Sequence, residues 1–181
     1  ITHYDENNQL DFNALEHNLN YILQFFKTGY GCLLGAAAGG DFSVLNLEER
    51  KQLISNLVRI NNKRCFLGVS VQGTDSRDIV ALAQHAEKEG ANFIQISPTY
   101  YYESSFTDFK RILDAIINNT NQIAIMIYNT PWEGFDLSLE QLVELANNYP
   151  RIVALKWATE DNSKYMKAIH LLKDRFAVID N

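Results

Sequence analysis

The chain is 181 residues long, 46% hydrophobic and 21% charged, which is ordinary for one globular domain with a substantial core. Its formal net charge of −6 repels phosphates, so neither nucleic acid nor an anionic membrane is expected as a partner. No apolar run approaches the length of a bilayer span and Ile1 opens onto a polar stretch rather than a signal peptide, so the expected setting is cytoplasmic.

A stub of strand is expected at 1–3. Residues 12–27 read as a helix closed by Gly29, and 46–61 as a second helix. Short, continuously apolar runs at 31–38, 65–70, 93–97, 123–128, 152–157 and 176–179 predict strands buried on both faces. Between them apolar residues recur at helical spacing: Ile79, Leu82, Ala83 and Ala86; Phe109, Ile112, Leu113 and Ile116; Leu139, Leu142, Val143 and Ala146; Tyr165, Ala168, Ile169 and Leu172. Thr74-Asp75 and Ser138 with Gln141 are suitable helix caps. Cys32 and Cys65 form neither a disulfide framework nor a metal spacing, and each is expected as a buried free thiol in its apolar run.

Successive strands start roughly 30 residues apart, one βα unit per interval, which predicts an α/β fold with a parallel sheet and right-handed crossovers. No composition break divides the chain, so 1–181 is expected to be a single domain. A doubly wound sheet and a closed barrel share this alternation, and periodicity does not separate them. A closed barrel needs eight strands and typically about 250 residues. Six strands and a stub therefore predict either an open fold or, the favoured expectation, part of a longer barrel lacking the start of its first strand and its last βα units.

Lys156 ends the apolar run Ile152-Val153-Ala154-Leu155-Lys156. Alternation puts Ile152, Ala154 and Lys156 on one face and Val153, Leu155 and Trp157 on the other. A lysine held in apolar surroundings becomes a nucleophile toward carbonyls; the plainer alternative is a head group that snorkels to water. Tyr128 closes its strand beside Ala124 and Met126 and can relay protons, or simply cap the core. The side-chain-poor loop Ala36-Ala37-Ala38-Gly39-Gly40-Asp41 can present backbone N–H groups to a carboxylate, although any tight turn uses a glycine pair. Tyr100, Tyr101 and Tyr102 cannot all share one face, so at least one is expected to reach a site or a neighbouring subunit, unless all pack over the rim. His17, His85 and His170 are expected on helix surfaces, with His3 apart from them, and Glu87-Lys88-Glu89 as a solvated helix face. No metal set is apparent.

Taken in order, these segments resemble the dihydrodipicolinate synthase / N-acetylneuraminate lyase family of class I aldolases. Gly39-Gly40-Asp41-Phe42-Ser43 with Leu45 and Glu48-Glu49-Arg50 resembles the family's glycine-acid loop and following helix. Gly68-Val69 with Thr74 and the run 83–91 resembles its third strand and helix, Tyr128-Asn129-Thr130-Pro131 with Gly134 its tyrosine strand, and 152–156 with Ala158-Thr159 and Asp161 its Schiff-base strand. The resemblance implies a (β/α)8 TIM barrel, here with six to seven of its strands. It implies Lys156 as imine former, Tyr128 as proton relay, and the loop at Ala38, Gly39 and Gly40 as the seat of the keto-acid carboxylate. It also implies no cofactor or metal, a small 2-keto acid as substrate, and a homo-oligomer, a tetramer built of dimers.

Three departures bear on substrate. Family members usually carry one or two hydroxyl residues where this chain has Ala38 and Gly39. Dihydrodipicolinate synthases carry an arginine soon after the tyrosine motif, where this chain has Trp132 and Glu133. Residues 98–102 run one residue out of register, leaving Tyr100 and Tyr101 as alternatives for the same role. The glycine loop is similar to that of aldolases acting on 2-keto-3-deoxy sugar acids. The expectation is therefore a Schiff-base lyase acting on pyruvate or a 2-keto-3-deoxy sugar acid, with Trp132 and Glu133 favouring a neutral aldehyde. The alternatives are a 4-hydroxy-tetrahydrodipicolinate synthase and a non-catalytic keto-acid-binding homologue.

Overall fold

The structure, a computed structural model, describes residues 1–26, 31–101, 104–130 and 136–180. Lys27, Gly29, Tyr102, Pro131, Trp132, Glu133 and Gly134, all singled out above, lie outside the described residues. Among the described residues six α-helices alternate with six strands: α1 (Phe12–Leu23), β1 (Cys32–Gly35), α2 (Leu47–Asn61), β2 (Phe66–Ser70), α3 (Ser76–Glu89), β3 (Phe93–Ile96), α4 (Phe106–Asn119), β4 (Ala124–Asn129), α5 (Leu139–Asn148), β5 (Ile152–Trp157), α6 (Asn162–Leu172) and β6 (Ala177–Asp180). Each expected βα unit is present. The 1–3 stub is not a strand: Tyr4 bridges Leu10 in antiparallel fashion instead, and Thr2 Oγ1 donates to the Gly40 carbonyl at 2.5 Å.

The strands form one parallel sheet in the order β1-β2-β3-β4-β5-β6. A doubly wound sheet reverses direction at a switch point; this one never does. With right-handed crossovers, a sequential order places every helix on the same face, as in a barrel wall. That outer face holds the core: Leu67, Val69 and Val71, Ile94 and Ile96, Ile125 and Ile127, Leu155 and Trp157 belong to one apolar cluster with the inner stripes of the helices. The opposite face carries Gly68, Ser70, Gln95, Tyr128 and Lys156. Gly68 pairs with Phe93, and a Cβ at 68 would run into the Phe93 ring, so glycine there makes room for an aromatic ring on the inner face.

The helices begin where local chemistry supplies caps. Asn46 and Glu49 form a capping box at α2, as do Ser105 and Asp108 at α4 and Ser138 and Gln141 at α5, while Asp75 caps α3. Each satisfies amides that the first helical turn leaves open. β6, at the sheet edge, is largely exposed, so burial on both faces fails there. Cys65 is buried as expected, but Cys32, on the edge strand β1, is exposed. His85 is not a surface residue: it is half-buried, with Nε2 2.8 Å from Ser55 Oγ.

Glu87 also departs from its expected role as part of a solvated face. It is half-buried at the C-terminal end of α3 and accepts from the backbone N–H groups of Asn121, Gln122 and Ile123 at 2.7–3.0 Å. This clamp fixes the turn that launches β4. Burial pushes its carboxyl up, but the three N–H donors and the Asn121 side chain outweigh burial and hold it below its ordinary 4.5. A depressed carboxylate contributes stability that is complete above its unfolded value and lost as pH falls through the folded one. Thermal melts between neutral pH and pH 3 are therefore expected to show a smaller acid-induced loss in Glu87→Gln than in the wild type. Parallel acid limbs would show that the clamp has no part in acid stability.

Candidate active site

Tyr128 and Lys156 are directly paired across β4 and β5. The Lys156 ammonium nitrogen stands 4.2 Å from the centre of the Tyr128 ring. The phenol is buried at 5% exposure and Lys156 is half-buried, so the nitrogen rests on an aromatic floor at the C-terminal end of the sheet. A cation over a ring face is attracted by the ring quadrupole, which restrains a long and otherwise mobile side chain.

This pairing depends on a bulge. Ile125 pairs with Ile152, but Met126 pairs with Ala154, so β5 spends one extra residue at Val153. Val153 is exposed at 43%, while Ile152 at 1% joins Leu155 and Trp157 in the outer core. The expected grouping of Ile152 with Ala154 and Lys156 is thus corrected. Simple alternation cannot put Ile152 under the helices and Lys156 on the inner face; the inserted residue resets the phase between them.

The loop after β1 is shaped by two residues in the left-handed region, Ala36 at φ 54° and Asp41 at φ 57°. Between them Ala38–Gly40 make a 3₁₀ turn. The Gly40 and Asp41 amides donate to Ala37 and Ala38 carbonyls, so the expected run of presented amides is shorter than the loop. The Ala38 and Gly39 amides, at the start of the turn, have no acceptor within it. Gly39 and Gly40 face a cleft of about 550 Å³ shared with Thr2, His3 and Leu34 beside the free edge of β1, and Lys156 and Tyr128 do not line it.

Tyr100 meets Phe42 edge to face at 5.8 Å, and the Arg50 guanidinium lies 5.3 Å from the other partner in that stack, the Phe42 ring. Arg50 is itself buried, and burial pulls it down to about 10; it donates to the Ser70 carbonyl at 3.1 Å. Tyr100 is therefore anchored to the helix side of the rim. Tyr101 is 82% exposed with φ 81°, a conformation that costs energy in a bulky residue. The two tyrosines have separate surroundings.

Two groups were missed by pattern reading. Asn129, fully buried, donates to Asp136 at 2.9 Å and to the Leu137 carbonyl at 3.1 Å, and accepts from the Leu137 amide at 2.8 Å. Asp136 in turn accepts from Lys164 at 3.0 Å. These bonds pin the far end of the segment after Tyr128 to the strand that carries it and to the first turn of α6. The second group is the buried set Ser70, Gln72, Gln95 and Ser97 on the inner face. Its signal was present: a glutamine inside the run 93–97, in phase with Ser97, breaks an otherwise apolar pattern. Among the described residues no group of three His, Cys, Asp or Glu side chains could hold a metal ion, and no helix is long and apolar enough to cross a membrane.

The sequence profile of the dihydrodipicolinate synthetase family matches residues 1–180. The chain belongs to that family. It is 27% identical over 179 residues to the 4-hydroxy-tetrahydrodipicolinate synthase of Bacillus subtilis (strain 168), covering 98% of this chain and 60% of the relative. It is 28% identical over 153 residues to YagE of Escherichia coli (strain K12), named provisionally as a 2-dehydro-3-deoxy-D-gluconate aldolase, covering 84% of this chain and 50% of the relative. The crystal structure of YagE in complex with pyruvate superimposes with a TM-score of 0.90 at 25% identity, over 99% of this chain and 60% of that one. Dihydrodipicolinate synthase from Aquifex aeolicus has the same fold, with a TM-score of 0.90 at 22% identity over 100% of this chain and 60% of that one. The chain spans between half and three-fifths of these relatives.

Asn129→Ala removes all three bonds and strands the Leu137 amide in a buried position. The expected cost is about 1–3 kcal/mol in urea unfolding, with faster amide exchange at Leu137. An unchanged midpoint and unchanged exchange would show that the segment is held by other contacts.

Proposed function

We propose that this chain carries the Schiff-base centre of a class I lyase acting on pyruvate or a 2-keto-3-deoxy sugar acid. The observation that carries the reading is the Lys156 nitrogen 4.2 Å over the buried Tyr128 ring. Imine formation needs a nucleophilic amine, a proton source for the departing oxygen, and a fixed relation between them. In the proposed step the unprotonated Lys156 amine adds to the keto carbon, and the proton its nitrogen sheds on forming the C–N bond passes to the former carbonyl oxygen to give a neutral carbinolamine. Tyr128 then gives its proton to the carbinolamine hydroxyl, which leaves as water. The C=N bond of a protonated imine forms, a phenolate remains, and the charges balance.

In this reading the amides of Ala38 and Gly39, with Gly40 closing the turn, receive the keto-acid carboxylate from the Lys156 side of the loop and not from the cleft that Gly39 and Gly40 share with Thr2 and His3. Tyr100 and Tyr101 stand at the rim, with the exposed Tyr101 available to a second copy in a homo-oligomer, taken as a tetramer working in the cytoplasm. The sugar-acid side of the reading is favoured by the similarity to YagE, whose provisional name is that of a 2-dehydro-3-deoxy-D-gluconate aldolase. Family membership and the match to a structure in complex with pyruvate support a keto acid as the common substrate element.

Incubation with pyruvate followed by borohydride is expected to leave one reduced adduct, and peptide mapping should place it on Lys156. An adduct spread over other lysines, or none, would remove the imine from the reading. Tyr128→Phe should lower turnover by roughly 10²–10⁴-fold, the usual contribution of a positioned acid–base group, while pyruvate binding changes little. Wild-type turnover in that variant would leave Tyr128 as a packing residue.

A further inference from the structure

The register pair next after Tyr128 and Lys156 is Asn129 and Trp157, and one lysine from α6 reaches both sides of it. Lys164 Nζ donates to Asp136 Oδ2 at 3.0 Å, while Asp136 Oδ1 accepts from Asn129 at 2.9 Å. The same ammonium lies 5.3 Å from the centre of the Trp157 ring. Its own backbone is fixed, because the Lys164 amide donates to the cap residue Asp161 at 3.0 Å. A single cation thus joins the residue at which the chain returns after β4, the end of the strand that carries Lys156, and the first turn of α6.

An ion pair exposed to water contributes little. This one is partly shielded, with side-chain exposures of 28% for Lys164 and 35% for Asp136, and the carboxylate is gripped at both oxygens by different elements. Charge-assisted bonds of that kind fix direction as well as contact. Trp157 is fully buried, and among the described residues its indole N–H has no acceptor. The ring is therefore held by its neighbours and not by a hydrogen bond: Lys164 stands over it, and Tyr165 lies 6.1 Å away. Apolar contacts alone would pack α6 against β5. The ion pair adds a defined place for Asp136 beside the strand ends that carry Tyr128 and Lys156.

We propose that Lys164, acting through Asp136, is a positioning residue that sets the width of the site's mouth for the part of the substrate beyond the keto-acid end. It fixes where the chain re-enters the fold after leaving β4, and so the rim on that side of Lys156. The inference rests on the reading of Lys156 as imine former and deepens it by separating two parts of one substrate. Pyruvate has nothing beyond its methyl group and is indifferent to this rim. A 2-keto-3-deoxy sugar acid carries a hydroxylated tail that must pass it. Loss of the ion pair therefore leaves the amine able to form its imine while the tail loses its register.

The test compares two readouts in the full-length protein: borohydride trapping with pyruvate, and cleavage of 2-dehydro-3-deoxy-D-gluconate. Lys164→Met keeps an unbranched stem over Trp157 and removes the charge. It is expected to raise KM for the sugar acid about 10-fold or more, as a small displacement of a positioning group does, with the pyruvate dependence of trapping unchanged. Lys164→Arg, which keeps a cation, should restore KM. Asp136→Asn still accepts from Asn129 and should reproduce the defect, and the double variant should be no worse than either single one, because both break the same link. A sugar-acid KM equal to wild type in Lys164→Met overturns the role of Lys164. So does a parallel loss of pyruvate trapping, which marks general damage to the site. A wild type that traps pyruvate and leaves the sugar acid intact overturns the assignment of the tail alone. Absence of the wild-type adduct overturns the lyase reading, and the role of Lys164 with it.

Discussion

One inserted residue governs the chemistry this sheet can present. β5 has to keep Ile152 under the helices, where it fills the outer core, and yet bring Lys156 to the opposite face. Strict alternation forbids both, because 152 and 156 share parity. The bulge at Val153 breaks the phase and lets both demands hold. Without it either Ile152 would leave the core or the ammonium would be driven among apolar side chains, where an unpaired charge costs several kcal/mol. The extra residue is disposed of at the surface, with Val153 exposed at 43%.

Around that pair the scaffold acts by fixing strand ends. Glu87 gathers three amides where β4 begins, and Asn129 binds the chain again where β4 finishes. β4 is thus held at both termini by side chains rather than by sheet pairing alone, and Tyr128 lies between the two fixtures. On the other side of the sheet Arg50 ties α2 to the end of β2 and carries Phe42, which in turn meets Tyr100. A buried guanidinium costs solvation; here the carbonyl and the ring face recover part of it while joining three segments of the rim.

Much of this was legible in the sequence because it is local. Continuous apolar runs marked the strands, and the bounds of β5 were read without error. Ser138 with Gln141 announced the start of α5, since a capping box is completed within four residues. The family resemblance rested on motifs at strand ends, where the fold concentrates its chemistry. The bulge was not legible, because Val153 is as apolar as its neighbours and only the partner strand reveals the slip. Glu87 was misread for a related reason: its partners lie 34–36 residues away, so its own helix gave the appearance of a solvated charge run. Whether the sheet is singly or doubly wound was likewise beyond periodicity, because it depends on which strands become neighbours. Gln95 could have been noticed as a polar side chain in phase with Ser97 on a buried strand.

The loop after β1 carries a last consequence. Its course is set by Ala36 and Asp41, the two non-glycine residues that bracket it in the left-handed region, and not by the small side chains between them. Substitutions at 37–40 leave the bend where it is, whereas a β-branched residue at 36 opposes it. The bend is therefore carried by the torsions of two residues, and a side chain placed at 39 would meet open space.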